Sequence, residues 1–259
     1  MMADLMALTD ISQAALWSGF LIFLRVGAMM AVLPAFGEQT VPVRVRLGLA
    51  FAFCLIVAPG VDTGAAPARS LSPDTILFCA PEVITGLFFG LLLRFMVFTL
   101  QIAGTIAAQS TSLSQIFGGT AGADPQPAMS HVLVVAGIAL ATIMGLHVSL
   151  AAYILQSYVN VPLGTFIATE VMADIGVRAT ARTFSLAFTL AAPVLAASLL
   201  YNVTLGIINR AMPQLMVSFV GAPAITAGGL LLLALTAPLM LAVWADALST
   251  VLAQPGDPR

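Results

Sequence analysis

The chain of 259 residues has two histidines, His131 and His147, 16 positions apart. A zinc site needs three or four ligands at short range. No His-Glu-x-x-His, Cys-x-x-Cys, Gly-x-Ser-x-Gly or phosphate-binding loop occurs. Ser149 lies two residues from His147, a spacing that points the two apart on a helix. The expectation is therefore no enzyme, no metal and no cofactor. The groups left to work with are Arg25, Glu82, Arg94, His147 and Asp246, each inside an apolar stretch. An Arg or Asp at the centre of a membrane helix costs about 2.5–3.5 kcal/mol on insertion scales, so each needs a partner or water. Pairing that fixes packing or assembly is favoured here over an ion path, and Arg25 is placed at an assembly interface.

A second group is uncharged. Gln101, Thr105, Gln109 and Ser112 recur at i, i+4, i+8 and i+11. That spacing puts all four on one helical stripe, either an interhelical hydrogen-bonding seam or a wall facing water. Directly after it come Ile116, Phe117, Gly118 and Gly119, opening a glycine-rich run to Pro127. Two apolar side chains on a backbone rich in glycine make a candidate plug.

The elements that carry these residues follow from composition. Hydrophobic residues make up 60% of the chain and charged residues 8%. Soluble domains run near ~45–50% and ~25%. Such a chain is a polytopic membrane protein. All nine basic residues are arginine and the net charge is −2, which makes no nucleic-acid patch. Cys54 and Cys79 read as small buried hydrophobes. The first ten residues hold Asp4 and Asp10 and no Arg or Lys, unlike the positive start of a cleavable signal.

Six apolar stretches are legible, near residues 11–33, 47–58, 76–100, 129–158, 184–208 and 215–251. The second is short for a span of ~30 Å. Pro34 and Gly37 close the first, and Pro193 interrupts the fifth. The last, with Gly228, Gly229 and Pro238, reads as two broken helices, or as one helix after a re-entrant piece. Residues 162–182 are more polar, with Glu170, Asp174, Arg178 and Arg182. Gly86-x-x-x-Gly90 would allow a close helix contact. The expected fold is an all-α integral membrane protein of about six broken hydrophobic helices. Irregular backbone at membrane depth must be covered by protein or reach water, so the chain should pack inside an assembly.

The order of several short motifs resembles the FliR family of flagellar export-apparatus membrane proteins. They are Phe23-Leu24-Arg25, Pro34-Ala35-Phe36-Gly37, Val41-Pro42-Val43-Arg44, Asp124-Pro125, Gly145-Leu146-His147 and Pro162-Leu163-Gly164. The most specific is Asn209-Arg210-Ala211-Met212-Pro213-Gln214-Leu215, followed by Gly221-Ala222-Pro223. The chain departs from the family pattern at Met216 and at Ala224-Ile225.

The resemblance implies one membrane domain over residues 1–259, a FliP-like part followed by a FliQ-like part. It implies a helical, pore-forming export gate with FliP-like and FliQ-like subunits, beside FlhB-like and FlhA-like proteins. The gate would stand in the bacterial inner membrane, in the flagellar basal body, and pass unfolded flagellar proteins. By position, Ile116, Phe117, Gly118 and Gly119 would form the plug loop, and Arg210, Pro213 and Gln214 would be interface elements. Two other readings stay open: an injectisome export-gate subunit, and a self-contained secondary transporter.

Overall fold

A computed structural model describes residues 2–37, 41–62, 78–111, 128–211 and 217–256. Among the described residues every regular element is a helix. They are α1 (Met2–Val32), α2 (Val43–Val57), α3 (Cys79–Thr111), α4 (Ala128–Ile143), α5 (Leu146–Asn160), α6 (Thr169–Ala211) and α7 (Val217–Ala253), with a short 3-10 turn at Ala58–Gly60. Five are long and apolar enough to cross a membrane, and the bent pair α4–α5 brings the number to six if it counts as one span. The protein is an all-α integral membrane protein.

The described residues fall into two compact units. The first holds residues 1–95, 145–179 and 248–259. Its core is a seam of α1 (Leu21, Ile22, Arg25, Val26, Met29, Met30) and Leu33 just after it, against buried positions of α3 and α5. On α3 these come in pairs, Thr85–Gly86 and Phe89–Gly90, the spacing at which one helix face meets a partner. The two glycines are where α1 lies closest. A Cβ at Gly86 would come 2.3 Å from the carbonyl oxygen of Arg25, and one at Gly90 would come 2.5 Å from Val32. The Gly-x-x-x-Gly pattern is thus an intrachain contact.

The second unit holds residues 96–144 and 180–247. Leu100, Ala103 and Ala107 of α3, Leu133 of α4, Ala187, Ala191 and Val194 of α6, and Trp244 of α7 are buried in it. Gly104 packs on the backbone of Ser130, 2.3 Å from where its Cβ would stand.

The structure adds detail to two of the stretches and corrects the reading of a third. The fourth stretch is two helices, α4 and α5, with a break at Met144–Gly145. Gly145 makes the break with φ +83°, a backbone state that L side chains avoid. The polar segment before the fifth stretch is mostly helix, since α6 starts at Thr169 and runs through Pro193. Glu170, Asp174, Arg178 and Arg182 stand four residues apart on it, and Asp174 pairs with Arg178. The last stretch is one helix, α7, with Gly228, Gly229 and Pro238 inside it. A proline removes a single amide from the ladder, and membrane helices tolerate that where neighbouring groups satisfy the freed carbonyl.

Candidate functional site

The most concentrated polar chemistry among the described residues is a buried ion pair in the first unit. The side chains of Arg25 on α1 and Glu82 on α3 are both fully buried. Their contact is two-pronged: Arg25 Nε donates to Glu82 Oε2 at 2.7 Å, and Nη2 donates to Oε1 at 3.0 Å. Parallel bonds of this kind are the strongest that these two groups make. The ring of Tyr158 lies under the guanidinium, 3.9 Å from its carbon to the ring centre.

The pair also holds the chain end of α5. Arg25 Nη1 donates to the carbonyls of Val161 at 2.8 Å and Ser157 at 3.3 Å, and Nη2 to that of Pro162 at 3.5 Å. Glu82 Oε1 accepts the backbone N–H of Gly164 at 2.7 Å. The last carbonyls of a helix have no donor within the helix, so a buried helix end needs one from elsewhere. Arg25, placed at an assembly interface from sequence, makes all of these contacts inside its own chain. The remaining expected ions are placed differently. Arg94 donates to the carbonyl of Val32 at 3.3 Å. His147 and Asp246 are exposed.

In the second unit, part of the polar stripe is visible. Gln101 and Thr105 are half-buried and Gln109 is exposed. The Gln101 carbonyl accepts the hydroxyls of Thr105 at 2.7 Å and Ser130 at 3.1 Å. One turn on, the hydroxyls of Ser110 and Ser198 lie 3.2 Å apart. Hydroxyls on four helical positions thus form a hydrogen-bonding seam between α3, α4 and α6. Ser130 and Ser198 were missed in the sequence, where each is a lone serine in an apolar run.

Ser112, Ile116, Phe117, Gly118 and Gly119 lie outside the described residues, as do Pro213 and Gln214. Arg210 is exposed in the last turn of α6. Among the described residues no group of three His, Cys, Asp or Glu side chains comes together to hold a metal ion. Cys54 is buried and Cys79 half-buried, and the Cys54 thiol faces the carbonyl of Gly19 at 3.6 Å.

Large apolar side chains cover the outside. On α2 these include Val43, Leu47, Phe51 and Leu55, and on α6 Phe184, Phe188, Leu199 and Val203. Such faces suit lipid or other apolar helices.

A family described as "Bacterial export proteins, family 1" matches residues 16–251 of this chain. The chain belongs to that family. Among its relatives is the flagellar biosynthetic protein FliR of Caulobacter vibrioides, 34% identical over 227 residues, which are 87% of this chain and 90% of that protein. The FliR of Bacillus subtilis is 28% identical over 207 residues, 78% of this chain and 79% of the other. The Yop proteins translocation protein T of Yersinia pestis is 28% identical over 233 residues, 87% of this chain and 88% of the other. This FliR-family chain is a membrane-embedded component of a bacterial export apparatus, and the family is one of export proteins, not of enzymes.

Proposed function

We propose that this chain is a subunit of the flagellar type III protein export gate and forms part of the pore through which unfolded flagellar proteins leave the cell. The observation that carries this reading is the similarity to flagellar FliR proteins along nearly the whole length of both chains. The exposed apolar faces of α2 and α6 support it, because they offer surface to further membrane helices. The partners are FliP-like and FliQ-like subunits, with FlhB-like and FlhA-like proteins beside them. The chain acts as one membrane domain, a FliP-like part followed by a FliQ-like part, in the inner membrane at the flagellar basal body.

In this reading the subunit supplies a wall, a seal and a register, while energy comes from other components. Ile116, Phe117, Gly118 and Gly119 form the plug loop. A narrow apolar constriction blocks ions by excluding water, and glycines let it yield to a passing chain. The stripe from Gln101 to Ser112 leads to that loop. Arg210, Pro213 and Gln214, at and beyond the end of α6, contact neighbouring subunits.

The likeness to the Yersinia translocation protein favours an injectisome gate as the second reading. The test is native mass spectrometry of the tagged chain, co-expressed with FliP-like and FliQ-like proteins of the same cell. A discrete hetero-oligomer is expected. A stable lone monomer in their presence overturns the proposal and favours a self-contained transporter.

A further inference from the structure

Residues 161–168 join α5 to α6 without regular structure. Val161, Pro162 and residues 165–168 form one wall of a cavity of about 550 Å³, with Phe88 and Phe89 of α3, Val171 of α6 and Pro255 on the other sides. The amide of Asn160 closes one end by donating to the Pro255 carbonyl at 2.6 Å. Two of the wall residues, Val161 and Pro162, accept hydrogen bonds from Arg25 of the buried ion pair through their carbonyls.

Mutual neutralisation of Arg25 and Glu82 needs only the contacts at 2.7 and 3.0 Å. The pair makes four more, and all four go to backbone atoms of Ser157, Val161, Pro162 and Gly164. The cation takes carbonyls and the anion takes an amide, so the linker is gripped by both members. There is little room for it to shift. Gly164 has φ +77°, and a Cβ there would meet Phe78 at 2.7 Å. Leu163, between the gripped residues, is only 3% exposed.

We propose that Arg25 and Glu82 are positioning residues that act as one clamp on the linker at residues 161–165 and thereby fix the wall of the cavity beside it. The clamp needs the guanidinium fork, because its nitrogens serve Glu82 and three carbonyls at once. A lysine keeps the charge and lacks that planar set of donors.

The test uses the full chain in mild detergent, with Cys54 and Cys79 replaced by alanine. One version carries Leu163→Cys and a control carries Leu150→Cys, a fully buried position of α5. The rate of thiol modification by a maleimide is read at each. In the parent both thiols are protected. Arg25→Lys is expected to raise the rate at Leu163→Cys at least about tenfold, the ratio set by losing roughly one charge-assisted hydrogen bond, with Leu150→Cys unchanged. An unchanged rate at Leu163→Cys overturns the proposal. Equal opening at both positions also overturns it, since general loosening and not release of the linker would then be the cause. Arg25→Met/Glu82→Met removes both charges at similar volume. The clamp predicts the same selective opening there. Protection of Leu163→Cys in that double variant would show that the two charges need only each other.

Discussion

Trp244 Nε1 donates to the carbonyl of Met96 at 2.7 Å, a hydrogen bond between α7 and α3 in the second unit. The indole is 2% exposed. A Cβ at Gly137 on α4 would stand 3.5 Å from its ring and 2.3 Å from Leu100. One side chain therefore ties three helices together by packing and adds a single directed bond. The two contributions separate by mutation. Trp244→Phe keeps most of the buried surface and loses the N–H, at a cost of about 1 kcal/mol. Trp244→Ala leaves a cavity as well and costs about 3–5 kcal/mol. Thermal unfolding in detergent, followed by circular dichroism, is expected to rank parent, Phe variant and Ala variant in that order. Equal midpoints for the two variants would mean that packing contributes nothing here.

Two glycines of the first unit make opposite predictions. Gly86→Ala drives a methyl into the Arg25 carbonyl, 2.3 Å away, so α1 and α3 must move apart. Gly27 on α1 has open space around its Cβ position. Gly27→Ala removes the helical penalty of glycine and is neutral or stabilising by up to ~1 kcal/mol. The amount of folded protein recovered from membranes should fall for Gly86→Ala and hold or rise for Gly27→Ala. A reversed order would sink the assignment of this helix contact.

Removing one member of the ion pair is a harsher change. Glu82→Ala strands the Arg25 guanidinium in a fully buried site and takes the acceptor from the Gly164 amide. Breaking a buried pair in this way costs about 3–5 kcal/mol. Steady-state protein in membranes is expected to drop several-fold, and blotting against the parent reads it. Parent-like levels would mean that water reaches the site.

The sequence made some of this legible. Arg25 and Glu82 stood out separately, because a charge in an apolar stretch is expensive wherever it lies. Their pairing did not, since 57 residues separate them and nothing local links the two. The Gly86–Gly90 spacing named a contact face but not which helix would use it. The break between α4 and α5 was hidden because Met144-Gly145 sits in an unbroken apolar run, where a single glycine reads as tolerated. The early start of α6 had a signal that went unused: four ionisable residues from Glu170 to Arg182 at four-residue steps describe one helix face. Proline and glycine were overread in the last stretch, where burial and neighbours outweigh local propensity. The plug role of Ile116 to Gly119 and the interface role of Pro213 and Gln214 are readings of the sequence, at residues outside the described ones.

The helix break at Gly145 can be tested. Gly145 has φ +83° with no atom within 4 Å of a Cβ, so the obstacle to a side chain there is backbone strain and not space. Asparagine tolerates this conformation better than β-branched residues do. Gly145→Asn should keep the unfolding midpoint near that of the parent. Gly145→Val should lose about 1–2 kcal/mol. Equal losses in both variants would argue that something other than the dihedral angle sets the break.

The last prediction concerns the seal. If Phe117 closes the pore, its ring acts by excluding water from a narrow apolar ring of side chains, and no hydrogen bond or charge need be involved. Phe117→Leu then keeps the barrier largely intact, because leucine is also apolar and of comparable bulk. Phe117→Ala widens the constriction and lets water, and hence ions, enter. On the same reading, deletion of residues 118–122 shortens the plug segment, so it should leak as well. Conductance of membranes bearing the assembled gate is expected to rise for the Ala variant and the deletion and to stay near the parent for the Leu variant, with export continuing in all three. Unchanged conductance in both the Ala variant and the deletion would remove the plug role from this loop while leaving membership of the gate, which is read from the whole chain, untouched.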